Sequence, residues 1–141
     1  MKKILIIALA GLVSACSTSK SVDVKKPLYE ILTTQNDGGA NIRFYEILTE
    51  ENEIKMLLSD ENLRKKISAE DMKTANFIIL NMGEKSSAGH SIKVTAVTET
   101  EDSVIVNVTE SAPAKESMAA SVISYPYSIV KINSKKKIVI K

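Results

Sequence analysis

Few residues in this chain could carry chemistry. There is one cysteine, Cys16, and one histidine, His90. A structural zinc site takes four cysteine or histidine ligands, so that class is excluded, and a single thiol cannot close an intrachain disulfide. His90 lies among the hydroxyls of Ser86, Ser87 and Ser91, the raw material of a serine nucleophile with an imidazole base. The spacing argues against that use. Neighbours along an extended chain alternate faces and rarely meet, and a serine hydrolase also needs an oriented base and an oxyanion hole. Gly83 and Gly89 do not have the spacing of a nucleophile elbow. A metal on His90 would need distant carboxylates, and no spacing supplies them. The sequence predicts no catalytic residue, no metal, no cofactor, no small-molecule substrate, and a protein that is not an enzyme.

Two further groups have both structural and recognition uses. Tyr125-Pro126-Tyr127 places a residue without an N–H between two tyrosines. Proline belongs at a strand start or on a sheet edge, where the tyrosines would anchor that edge. Tyrosine is also enriched at protein interfaces, so the pair with the Gly83–Ser91 loop could form one exposed patch. Lys135-Lys136-Lys137 reads as a solvated turn that could also touch anionic headgroups. Aromatics are 4% of the chain and tryptophan is absent, which excludes a base-stacking platform for nucleic acid. The net charge of +2 is supplied by Lys2 and Lys3. Without them the chain is neutral and has no general attraction to nucleic acid.

Those two lysines begin a leader. Ile4 to Val13 is an apolar run too short for a bilayer span, which needs roughly 20 residues. Behind two lysines it reads as a secretory signal peptide. It ends in Val13-Ser14-Ala15-Cys16, which resembles the bacterial lipobox. That resemblance implies cleavage after residue 15, a diacylglycerol on the Cys16 thiol, and a further acyl chain, such as palmitate, on the new amine. Acyl chains supply the membrane affinity the neutral protein lacks, at about 0.8 kcal/mol for each buried methylene. Residues 16–26 read as the lipidated cysteine and a flexible tether, reaching about 30 Å if extended. Ser17 is not acidic, which points to an outer-membrane anchor facing the periplasm.

Residues 27–141 read as a single domain that positions the candidate groups. Leu28 to Thr33 and Ile42 to Leu48 have strand character and flank the turn signal Asn36-Asp37-Gly38-Gly39, predicting a hairpin. Thr49 is the predicted cap of a helix carrying Ile54, Leu57 and Leu58 on one stripe. A second short helix fits the charged stretch 60–74. Phe77-Ile78-Ile79-Leu80 is apolar on both faces, as in a strand covered on both sides. Ser91–Thr98 and Ser103–Thr109 alternate and predict a second hairpin, and Tyr127–Ile132 with Lys137–Ile140 a third. The expected fold class is α+β: a mostly antiparallel, curled sheet or sandwich with one or two short helices.

The loop Gly83-Glu84-Lys85-Ser86-Ser87-Ala88-Gly89-His90 between two strands resembles that of the PrcB-like family, whose members are often bacterial lipoproteins. The likeness continues through Val104–Val108, Pro113 and Tyr125-Pro126-Tyr127-Ser128-Ile129-Val130-Lys131, and is clearest over about 76–132. Gly83, Lys85 and Gly89 fit the family pattern. Ser86 and Ser87 stand where it has proline and threonine, Ala88 where it has glycine, and His90 where it has tyrosine. His90 then reads as a half-buried ring in the tyrosine's place or as part of a partner contact. The family takes its name from a subunit of a protease complex. The resemblance implies a lipid-anchored accessory or stabilising subunit that binds a secreted or envelope protein such as a protease. The alternative is a protease inhibitor whose Gly83–Ser91 loop plugs an active-site cleft. Both readings assign partner binding to Gly83, Lys85, Ser87, Gly89, His90, Tyr125, Pro126 and Tyr127.

Overall fold

The computed structural model describes residues 25–141; the leader, Cys16 and the tether up to residue 24 lie outside the described residues. In chain order the elements are β1 (Tyr29–Gln35), β2 (Arg43–Leu48), α1 (Glu51–Leu57), α2 (Glu61–Arg64), α3 (Ala69–Thr74), β3 (Asn76–Met82), β4 (Ser91–Glu99), β5 (Ser103–Ser111), β6 (Tyr127–Ile132) and β7 (Lys137–Ile140). They form a four-stranded sheet ordered β1-β6-β3-β2 and a three-stranded sheet ordered β4-β5-β7. Every pairing is antiparallel except β5 with β7.

Strand β3 shows how the layers arise. Ile78, Leu80 and Met82 point toward the second sheet and meet Ile92, Val94, Val104 and Val106. Phe77 points the other way and joins Ile54, Leu57, Leu63 and Ile67 of the helical segment. The continuous apolar run thus marks a strand covered on both faces, as expected from its sequence. The molecule is a β-sandwich with three short helices laid over the outer face of its larger sheet.

Several local expectations are corrected. The predicted hairpin over 28–48 does not form: β1 pairs with β6 and β2 with β3, so the two lie on opposite edges of one sheet. The Asn36–Gly39 signal does turn the chain, but the flanking strands take partners distant in sequence. The third hairpin is also absent. β6 sits between β1 and β3, and β7 crosses to the other sheet to run parallel to β5. The β4–β5 hairpin does form, closed where Thr100 N–H donates to the Ser103 carbonyl at 2.8 Å. The cap of α1 is Glu50 rather than Thr49, in a capping box with Glu53. The 60–74 stretch holds two helices, capped by Asp60 and by Ser68.

One charged group crosses the outer layer. Lys131 of β6 is 7% exposed, and its Nζ lies 3.0 Å from Glu30 and 3.5 Å from Asp71. Asp71 also closes the N-terminus of α3, accepting from the Ser68 N–H and hydroxyl. Burial pushes the Asp71 carboxyl upward. The Ser68 hydrogen bonds and the charges of Lys131 and Lys26 outweigh it and hold the group below the usual carboxylate range.

Candidate functional site

The Gly83–Ser91 loop leaves β3 at one end of the sandwich. Gly83 has φ +74°, and a β-carbon there would stand 2.7 Å from the Arg43 nitrogen and 2.9 Å from the Asn41 carbonyl oxygen. Only glycine lets the backbone pass this close with a left-handed turn. The passage is held from both sides. Glu84 N–H donates to the Asn41 carbonyl at 2.9 Å, while Asn81 accepts from the Ala40 N–H and donates to the Ala40 and Ile42 carbonyls.

Beyond Gly83 the loop is zipped to the segment entering β6. Lys85 and Ser124 exchange backbone hydrogen bonds at 2.9 and 3.0 Å, and Ala88 N–H donates to Ala120 at 3.0 Å. The Ser124 hydroxyl donates to the Ser87 carbonyl, and the Tyr125 hydroxyl to the Glu84 carboxylate at 3.1 Å. That last bond raises the Tyr125 pKa. Gly89, at φ +88°, packs on Pro113, whose Cβ would lie 3.0 Å from an added β-carbon.

The expected patch is therefore assembled only in part. Gly83, Lys85, Ser87, Gly89, half-buried His90 and Tyr125 share one end of the molecule, and Pro126 is buried beside them. Tyr127 is not with them. Its side chain packs against the helical layer and lines a separate cleft of about 290 Å³ with Thr33, Asp60 and Lys66. The reason is topological. Pro126 sits at a strand start, as its missing N–H requires, but β6 is an inner strand rather than an edge. Met82 N–H donates to the Pro126 carbonyl at 3.0 Å, and Tyr127 is paired on both sides.

Other residues complete this end of the molecule. Arg43 Nε donates to Glu110 at 2.8 Å, the Tyr45 hydroxyl donates to the same oxygen at 2.8 Å, and the guanidinium lies 4.6 Å from the Tyr45 ring centroid. Burial works to raise the Glu110 pKa, but the Tyr45 and Arg43 hydrogen bonds, with Arg43 and Lys85 charge, hold it low. Arg43 and Glu110 are 67 residues apart, and no spacing signal joins them. Exposed apolar side chains are Ile42 at 72%, next to Arg43 in the chain, and Val122 at 58%, Ile123 at 55% and a fully exposed Met118 in the segment that leads to Ser124. Ser91, a candidate hydroxyl, shares a hydrogen bond with Ser111 at 2.7 Å. Among the described residues, no group of three or more His, Cys, Asp or Glu side chains is arranged to hold a metal. The surface offers tyrosine and serine hydroxyls, paired charges and exposed aliphatic groups, which suit contact with another protein.

Residues 76–133 match the family model described as PrcB C-terminal. The expected resemblance is thus borne out over β3 to β6, a span that contains the loop and Tyr125-Pro126-Tyr127. No curated protein matches the chain, and no solved structure does.

Proposed function

From the PrcB-like character of residues 76–133, we propose that this chain is a non-enzymatic accessory subunit, anchored by lipid on Cys16 to the outer membrane and facing the periplasm. It binds and stabilises a secreted or envelope protein, a protease being the partner class that the family name indicates. The observation that supports this best is the location of the loop-and-Tyr125 surface inside the family-matched span. The inner strands β3 and β6 of the larger sheet carry it, and loops on rigid scaffolds commonly carry recognition. The alternative, a protease inhibitor, uses the same surface with the opposite consequence.

Pull-down from native membranes with Lys85→Glu combined with Ser87→Asp tests the reading. Both side chains can change while the Lys85 and Ser87 backbone bonds remain. The expected result is loss of the partner with an unchanged melting temperature; full recovery of the partner on a stable fold would exclude this surface. Peptide cleavage by the co-purified protease separates the two roles. Greater protease abundance or stability supports the accessory role, and loss of cleavage supports inhibition. For the anchor, Cys16→Ser should abolish fatty-acid labelling and cleavage of the leader, and normal labelling in that variant would refute it.

A further inference from the structure

The two sheets expose four edge strands, and three of them carry features that discourage further pairing. β1 is broken by a register shift between Ile31 and Thr33, and its Leu32 carbonyl is taken by the Lys66 ammonium. β4 has a register shift between Val94 and Ala96 and an exposed Lys93. β7 is only four residues long and begins with an exposed lysine. Bulges, lysines and shortness are the devices by which sheets avoid adding a foreign strand. β2 has none of them. It pairs with β3 in unbroken register from Arg43↔Met82 to Leu48↔Phe77, and contains no proline and no lysine. Its one cation, Arg43, is bound to Glu110. Ile47 on the strand is 36% exposed, and Ile42 just before it 72%.

We propose that β2 is a strand-addition edge, and that its occupant is an extended segment of the partner protein alternating apolar with basic residues. This rests on the partner-binding reading above and gives that surface its mode of recognition. Strand β2 leads directly from the loop surface, because Gly83 is packed against the Asn41–Arg43 backbone. An extended segment would satisfy the outward main-chain groups of β2. Its apolar side chains would lie beside Tyr45 and Ile47, which share one face. Its basic ones would face Glu46 and run on toward Glu50 and Glu51, all three exposed. Glu53 adds a fourth carboxylate at the same helix start, against Lys55 and the Lys135 ammonium bound to the Thr49 carbonyl. The balance at this end is acidic. A second copy of the chain would set these carboxylates against themselves, which disfavours self-pairing.

The test uses the full chain in detergent and a seven-residue peptide, acetyl-Thr-Val-Lys-Val-Lys-Val-Thr-amide. Amide exchange over residues 43–48 should slow by about threefold or more with the peptide and stay unchanged elsewhere on the sheet edges. A copy with glutamate for lysine should lose the effect. Alternate N–H groups of a strand point to opposite sides, so of two copies methylated on the valine or the lysine nitrogens, one should bind and the other fail. Absence of protection at 43–48, protection at β4 or β7 instead, or equal binding of both methylated copies would overturn the proposal. Photo-crosslinkers at Ile47 and at Lys85 in native envelopes separate this from the parent reading. Joint capture of one protein agrees with both; capture from Lys85 alone overturns strand addition and leaves partner binding standing; capture from neither overturns both.

Discussion

At the scale of single residues, the glycines that frame the loop differ in what they tolerate. Gly83→Ala would place a methyl group against two backbone segments at a positive φ, with no flexible side chain to yield. A loss of about 2–3 kcal/mol is expected, read as a lowered denaturant midpoint. Gly89→Ala meets only the Pro113 ring, so its cost is mainly the backbone conformation, about 1–2 kcal/mol. Equal losses at the two positions would contradict this account. The turn geometry at Gly83 and Gly89 was legible in the sequence, because glycine is the residue that a positive φ favours. The contributions of Arg43, Tyr45, Glu110 and Ser124 were not, since each depends on a partner brought close only by the fold. Glu84 was within reach of sequence reasoning, being the one carboxylate inside the loop.

At the scale of elements, the Asp71–Lys131 pair ties α3 to the inner strand β6. Both side chains are nearly buried, so replacing Asp71 leaves Lys131 with Glu30 alone, and replacing Lys131 leaves Asp71 with the Ser68 donors and the more distant Lys26. Asp71→Asn and Lys131→Met should each cost about 1–3 kcal/mol. The double replacement Asp71→Leu with Lys131→Leu should recover part of that loss, because two apolar groups leave no buried charge, and the remainder is the lost Ser68 cap of α3. The pH dependence has a definite sign. Asp71 has a lowered folded-state pKa, so its contribution is present above the unfolded value and is lost as pH falls below about 4. The wild type should therefore lose more stability than Asp71→Asn over that acid range in denaturant titrations. Parallel acid profiles would show that the Ser68 hydrogen bonds and the Lys131 and Lys26 charges together do not stabilise the ionised Asp71. The helix holding Asp71 was hard to see, because six residues give too little apolar periodicity, but Ser68 followed by Asp71 three residues later is a capping signature that could have marked it. Strands were easier to place than their partners. Alternation tells which face of a strand is buried, not which strand lies beside it, so the local β4–β5 hairpin was readable and the distant pairings of β1, β2 and β7 were not.

At the scale of the molecule, the family-matched span and the cooperative unit have different boundaries. Residues 76–133 supply the inner strands β3 and β6 of one sheet together with β4 and β5 of the other. They supply none of the helices, neither edge of the larger sheet, and not β7. Phe77 and Ile129 depend on Leu32, Leu48, Ile54 and Leu63 to cover them, all outside the span. Burial of each such large apolar side chain contributes about 1.5–3 kcal/mol, a sizeable share of a small domain's stability. Val104 and Val106 keep their packing on Ile78 and Leu80, but β5 loses the pairing of Val104↔Ile138 and Val106↔Ile140. The span expressed alone should bind a hydrophobic dye and melt without a sharp transition. Residues 25–141 should unfold in one cooperative step, with the same midpoint in the presence of a chelator. A sharp, dye-free transition from 76–133 alone would mean that the matched span carries its own core, and that the helical layer and β7 are additions rather than parts of one folding unit.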